Sequence, residues 1–179
     1  MKSNLHYIIF LFVVAILLMV HSTWSAEESK NEEVPTIKKV EHLSYSYEAT
    51  FPLDPREIEL NNGALELNAK AKGRQYIVSA IPKTAAEAPR RLDAQFLAFH
   101  RRGAEQSNFW KVREARVFNE EGVDKALLIL EGGEWIRHVL FVDQPDVGFV
   151  VEATLKDLKG HDEAKAFLES FHFAKQEEK

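Results

Sequence analysis

From Leu43 to Leu155 the chain is a succession of short stretches in which apolar residues recur at every second position, interrupted by one stretch with a period near 3.6. Leu43, Tyr45, Tyr47, Ala49 and Phe51 alternate with Ser44, Ser46, Glu48 and Thr50, which is the pattern of a half-buried strand with aromatics on one side. Pro52, Asp54 and Pro55 end it. Leu65, Leu67 and Ala69 alternate with Glu66, Asn68 and Lys70 after an Asn62-Gly63 turn signal, and Lys72-Gly73 sends the chain back as Gln75–Ile81. Two strands this close pair as an antiparallel hairpin. Trp110–Phe118, Ala126–Leu130, Trp135–Val142 and Phe149–Leu155 follow, with turn signals at Asn119-Glu120-Glu121-Gly122 and Asp143-Gln144-Pro145-Asp146. Ala126–Leu130 is a nearly continuous apolar run, so it is expected at the centre of the sheet.

The change of period falls after Pro82. Thr84-Ala85-Ala86-Glu87 has the spacing of a capping box, in which the Thr hydroxyl accepts an amide and the Glu reaches back. Leu92, Phe96 and Phe99 stand at i, i+4 and i+7, the buried stripe of a helix ending near Gly103. Pro89 is either tolerated near the helix start or separates a short first helix from a second. Gly160 opens a last helix whose stripe is Ala164, Phe167, Leu168 and Phe171, with Phe173 as a final anchor. The fold class is α+β: an antiparallel β-sheet of about six to seven strands packed with two main helices in a single domain, 42–174.

Lys2 and an uninterrupted apolar run, Ile8–Val20, precede this domain. The run is about thirteen residues, the length of a signal-peptide core rather than the roughly twenty needed to span a bilayer. Thr23-Trp24-Ser25 places small residues for cleavage after Ser25, with Ala26 as second choice; the other reading is a retained N-terminal anchor. Residues 1–25 are thus expected to be a signal peptide, 26–41 a flexible linker and 175–179 a charged tail, for a periplasmic or secreted protein. The chain has no cysteine, which excludes lipidation at a cysteine, disulfides and thiol chemistry. The expected mature chain of about 154 residues suffices without them, since domains of that size bury roughly 68–70% of their unfolded surface. A net charge of -5 with no polybasic tract argues against nucleic acid as a partner.

Two local features carry a resemblance. The first is the opening strand running as Tyr45-x-Tyr47-x-x-x-Phe51-Pro52; the second is the closing Phe167-Leu168-Glu169-Ser170-Phe171-His172-Phe173. Together with the order of elements, they resemble the PsbP/DcrB-like superfamily, an α/β/α sandwich, over Leu43 to Phe173. The resemblance implies a mostly non-enzymatic protein that docks on partners, as do the extrinsic protein of the photosynthetic oxygen-evolving complex, a Ran-binding factor of nuclear transport and DcrB-type envelope proteins. No functional residue carries over, because no functional motif matches position by position.

The most suggestive cluster of side chains is Arg90, Arg91, Arg101 and Arg102, which helical geometry directs away from the Leu92–Phe96–Phe99 stripe, with Lys83 nearby. Guanidinium groups bind oxyanions bidentately, so this is a partner-binding candidate for a protein or envelope surface; the alternative is a solvated helix face. His42, His100, His138, His161 and His172 show no metal-ligand spacing. Asp162 and Glu163 complement the positive end of the last helix, and His138 is expected at a surface or sheet edge. Glu131 and Glu134 flank a Gly132-Gly133 turn. Tyr45, Tyr47, Trp110 and Trp135 are expected in the core before a ligand groove. There is no Gly-x-Ser-x-Gly or Ser-x-x-Lys motif, so no catalytic residue, metal or cofactor is assigned. The expectation is an exported, non-catalytic binding or accessory protein of the cell envelope. Its alternatives are a small-ligand carrier with an aromatic-lined pocket and a hydrolase with a spatially assembled site.

Overall fold

A computed structural model describes residues 36–42, 45–84 and 91–173. In chain order the elements are β1 (Thr36–His42), β2 (Tyr45–Phe51), β3 (Arg56–Glu59), β4 (Leu65–Ala71), β5 (Arg74–Pro82), α1 (Ala94–Gln106), β6 (Lys111–Glu120), β7 (Val123–Gly132), β8 (Trp135–Asp143), β9 (Val147–Leu155), α2 (His161–Ser170) and β10 (His172–Phe173). The described strands form two sheets: a seven-stranded sheet in the order β3-β4-β5-β9-β8-β7-β6, and a three-stranded sheet in the order β1-β2-β10. All pairings are antiparallel, and the expected hairpin is β4–β5, with Leu67 opposite Val78.

The alternation in each strand divides the apolar residues between the two faces of the main sheet. Ile136, Leu140 and Val142 of β8 join one core, together with Tyr76, Val78, Phe149 and Val151. Val139 and Phe141 join the other, with Ala126, Leu128, Leu130 and Trp110. Onto the first face pack Tyr47, Ala49 and Phe51 from β2 and Ala164, Phe167 and Leu168 from α2. Onto the second packs α1, which lies against β6 and β7. The interior is therefore two cores around one sheet, not the single interior that one sheet with two helices suggests.

Four expectations need correction. Residues 36–41, expected in the linker, belong to β1, which pairs with β2 from Thr36 opposite Phe51 to His42 opposite Tyr45. The strand at Ala126–Leu130 is not central; it is next to the edge, and β9, with all but one residue buried, holds the middle. The first helix begins at Ala94 with Asp93 as its cap, whose carboxylate accepts from the amides of Gln95 and Phe96 at 2.9 Å each. It also runs beyond Gly103 to Gln106. Most of the Thr84–Glu87 capping box lies outside the described residues. Finally, Phe99 is 43% exposed, because a helix begun at Ala94 turns Phe96, Leu97, His100 and Ala104 toward the sheet instead.

Among the described residues, no helix is long and apolar enough to cross a membrane. The expected signal peptide and the charged tail lie outside the described residues.

Candidate functional site

The arrangement most able to do chemistry is a line of three side chains from three elements. Glu131 and His138 stand on β7 and β8, where Ile129 pairs with His138 and Glu131 with Ile136, so hairpin register puts both on the face that α2 covers. His161 is the first residue of α2, set beside them by Gly160, where an added Cβ would stand 3.5 Å from Ile136 and Leu155. His161 Nδ1 lies 2.8 Å from His138 Nε2, and its Nε2 lies 3.2 Å from Glu131 Oε1. Arg113 approaches the same Glu131 oxygen at 3.7 Å from β6. His138 is only 4% exposed, contrary to the expectation of a surface or edge histidine. Burial first, and then the neighbouring His161, lowers its pKa to about 4 against the opposing pull of Glu131.

A second buried polar group lies on the opposite face. Arg137 Nη2 donates to Glu152 Oε2 at 2.6 Å, and Thr154 Oγ1 donates to the other Glu152 oxygen at 2.9 Å. The Arg137 Nε is buried without a partner among the described residues. His100, stacked between Phe96 and Phe141, has its pKa lowered to about 4 by burial and then by the Arg137 charge. Among the described residues, no group of three or more His, Asp or Glu side chains is arranged to hold a metal ion.

Of the expected arginine cluster, Arg101 and Arg102 lie on α1. Arg91 precedes the helix and pairs with Asp93 at 2.9 Å. Arg101 pairs with Glu105 one turn on, at 2.8 Å. Arg102 donates from Nε to the Ala98 carbonyl and has no ion-pair partner among the described residues. Arg90 lies outside the described residues. Lys83 pairs with Asp143, and its amide donates to the Asp146 carbonyl. What sits beside Arg102 instead is Phe99, three residues earlier on the helix and 43% exposed. The aromatics considered for a groove are in the cores: Tyr47 is fully buried against Phe149 and Phe171, and Trp110 is 9% exposed. The side chain of Tyr45 lies outside the described residues. Glu131 and Gly132 end β7 rather than forming a turn, and Gly132 admits the Phe109 ring, 2.7 Å from where a Cβ would stand.

No protein-family model matches the chain, and no curated protein matches it. Among solved structures it resembles the solution structure of cyanobacterial PsbP (CyanoP) from Synechocystis, at a TM-score of 0.52 and 10% identity, over 86% of this chain and 99% of that one. The fold is PsbP-like. A Pseudomonas aeruginosa protein of unknown function is also similar, at 14% identity over 79% of this chain and 99% of that one, with a TM-score of 0.45. A Bacteroides thetaiotaomicron structure follows at 16% identity, over 74% of this chain and 47% of that one, with a TM-score of 0.36. The PsbP-like architecture gives the closing motif a physical reason. Ser170 ends α2 by accepting the amide of Thr50 at 3.0 Å and donating to the Phe167 carbonyl at 2.8 Å, which ties the helix to β2. Phe171 and Phe173 then close over Phe149.

Proposed function

We propose that this chain is an exported accessory protein that acts by docking on another protein through the outer face of α1. The PsbP-like fold supports the accessory class. The observation that carries the reading is the pair Phe99 and Arg102, an exposed aromatic and a guanidinium without an ion-pair partner among the described residues, with Arg101 adjoining. Aromatic and arginine side chains together are the usual anchors of protein interfaces. A partner of matching chemistry presents carboxylates around an apolar recess, because guanidinium binds carboxylate bidentately. Export rests on the Ile8–Val20 run and the Thr23-Trp24-Ser25 cleavage signal.

Two experiments test this. Mass spectrometry of the exported protein should return a mature amino terminus at Ala26; an intact Met1 would support the retained anchor. Charge reversal of Arg90, Arg91, Arg101 and Arg102 to Glu, with Phe99→Ala, should abolish recovery of a specific partner from cross-linked envelopes. Unchanged recovery would end the docking assignment. Equal loss of binding to phosphatidylglycerol vesicles would reassign the surface to lipid.

A further inference from the structure

The hydrogen bonding of the Glu131–His161–His138 line fixes where protons sit. A carboxylate only accepts, so His161 donates from Nε2 to Glu131, across 3.2 Å. With His161 neutral, its Nδ1 is a lone pair, and His138 donates into it from Nε2 across 2.8 Å. One added proton is accommodated without moving an atom of the frame. His161 then donates from both nitrogens, and His138 shifts its own proton from Nε2 to Nδ1 and accepts. Glu131 balances the charge. A second proton leaves no acceptor in the line: two imidazolium N–H groups face each other, and like charges at that separation repel strongly.

We propose that Glu131, His161 and His138 form a proton-gated latch that holds the start of α2 on the main sheet, closed with zero or one added proton and opened by the second. Within the sheet, His138 is flanked by the apolar Ile129 of β7 and Ala153 of β9, so the line to His161 is its polar link to α2. The charged groups facing it are Glu131 from β7, Arg113 on Glu131 from β6, and Asp162 and Glu163 in the first turn of α2. Of these, Glu163 is engaged elsewhere, by the Tyr76 hydroxyl and by Arg74 at 3.8 Å. The remainder of α2 stays anchored through Phe167 and Ser170, so opening is confined to its first turn.

The direction with pH follows from the lowered pKa of His138. In the closed state it refuses a proton until about pH 4, whereas freed from the latch it takes one near its ordinary 6.5. Closure is therefore fully favoured above about pH 6.5 and weakens as pH falls toward 4. Linkage gives a loss of about twentyfold in the closing equilibrium between pH 7 and pH 5.

The test is hydrogen exchange of the full chain from pH 7.5 to 4, expressed as protection relative to the intrinsic rate at each pH. Protection of the amides from Ala164 to Ala166, which close the first turn of α2, should fall by about that factor in the wild type and stay flat in His138→Leu. Ring-nitrogen NMR of the wild type provides a second readout that needs no variant. His138 should carry its proton on Nε2 at pH 7.5 and remain uncharged at pH 5. A flat wild-type profile, a loss that persists in His138→Leu, or a His138 that charges near pH 6.5 with α2 still protected would each overturn the latch.

Discussion

The two faces of the main sheet are built from the same strands yet reach different degrees of closure. Tyr47, Tyr76, Phe51, Phe149, Ile136, Leu155, Val78, Val142 and Val151, the largest fully buried side chains, all belong to the face covered by α2 and β2. On the α1 face no large side chain is fully buried: exposure runs from 3% at Leu130 through 7% at Leu97 and Phe141 to 9% at Trp110. Two covering elements meet over the first face and interlock through Phe51 and Tyr76 on Phe167. A single helix of 13 residues covers the second, lying against β6 and β7 and reaching β8 through Phe96 and His100 on Phe141. The difference places the tighter packing on the α2 face.

The largest effect should come from opening the closed face. Phe167→Ala should cost about 3–5 kcal/mol by urea denaturation, because it removes an edge-on partner of both Phe51 and Tyr76. Phe96→Ala, on the half-buried side of α1, should cost less than half as much; equal losses would break the comparison. Next is acid. His100 has its pKa lowered to about 4 in the folded state, so the unfolded chain binds the extra proton as pH falls below about 6.5. Its contribution is complete above that pH and is lost toward pH 4, a loss of about 2–3 kcal/mol by pH 4.5 that His100→Leu should remove from the stability profile. Gly132→Ala is expected to cost about 1–3 kcal/mol, since a Cβ there meets both the ring and the carbonyl oxygen of Phe109 at 2.7 Å. Phe99→Ala, exposed on α1, should change stability by less than about 0.5 kcal/mol while weakening partner recovery.

The amphipathic strands were legible because each contacts a core on at least one face, and burial writes a period of two into the sequence. β1 and β3 were not. β3, Arg56–Glu59, is exposed at every position, and Ile37 of β1 is 69% exposed, so backbone pairing holds strands whose side chains record little burial. The expected size of the main sheet was right while its membership was not, because alternation says that a residue is buried and not by which sheet. β2 left for the smaller sheet, and β3 took its place at the edge of the larger. Of the candidate sites, Glu131 and His138 were within reach: the Gly132-Gly133 signal and strand alternation together place both on one face. His161, 23 residues after His138, was not, since its position depends on how α2 returns to the sheet. The arginines were legible as helix residues, but their partners Asp93 and Glu105 became apparent only with the true helix start.

Native-state hydrogen exchange at pH 7.5 under increasing denaturant tests the inequality of the two faces most directly, by comparing amides around Phe167 with those around Leu97. The account predicts that the α2 amides exchange only through global unfolding, while those of α1 open locally and at least about tenfold faster. Equal protection of the two helices, or a slower α1, would contradict it.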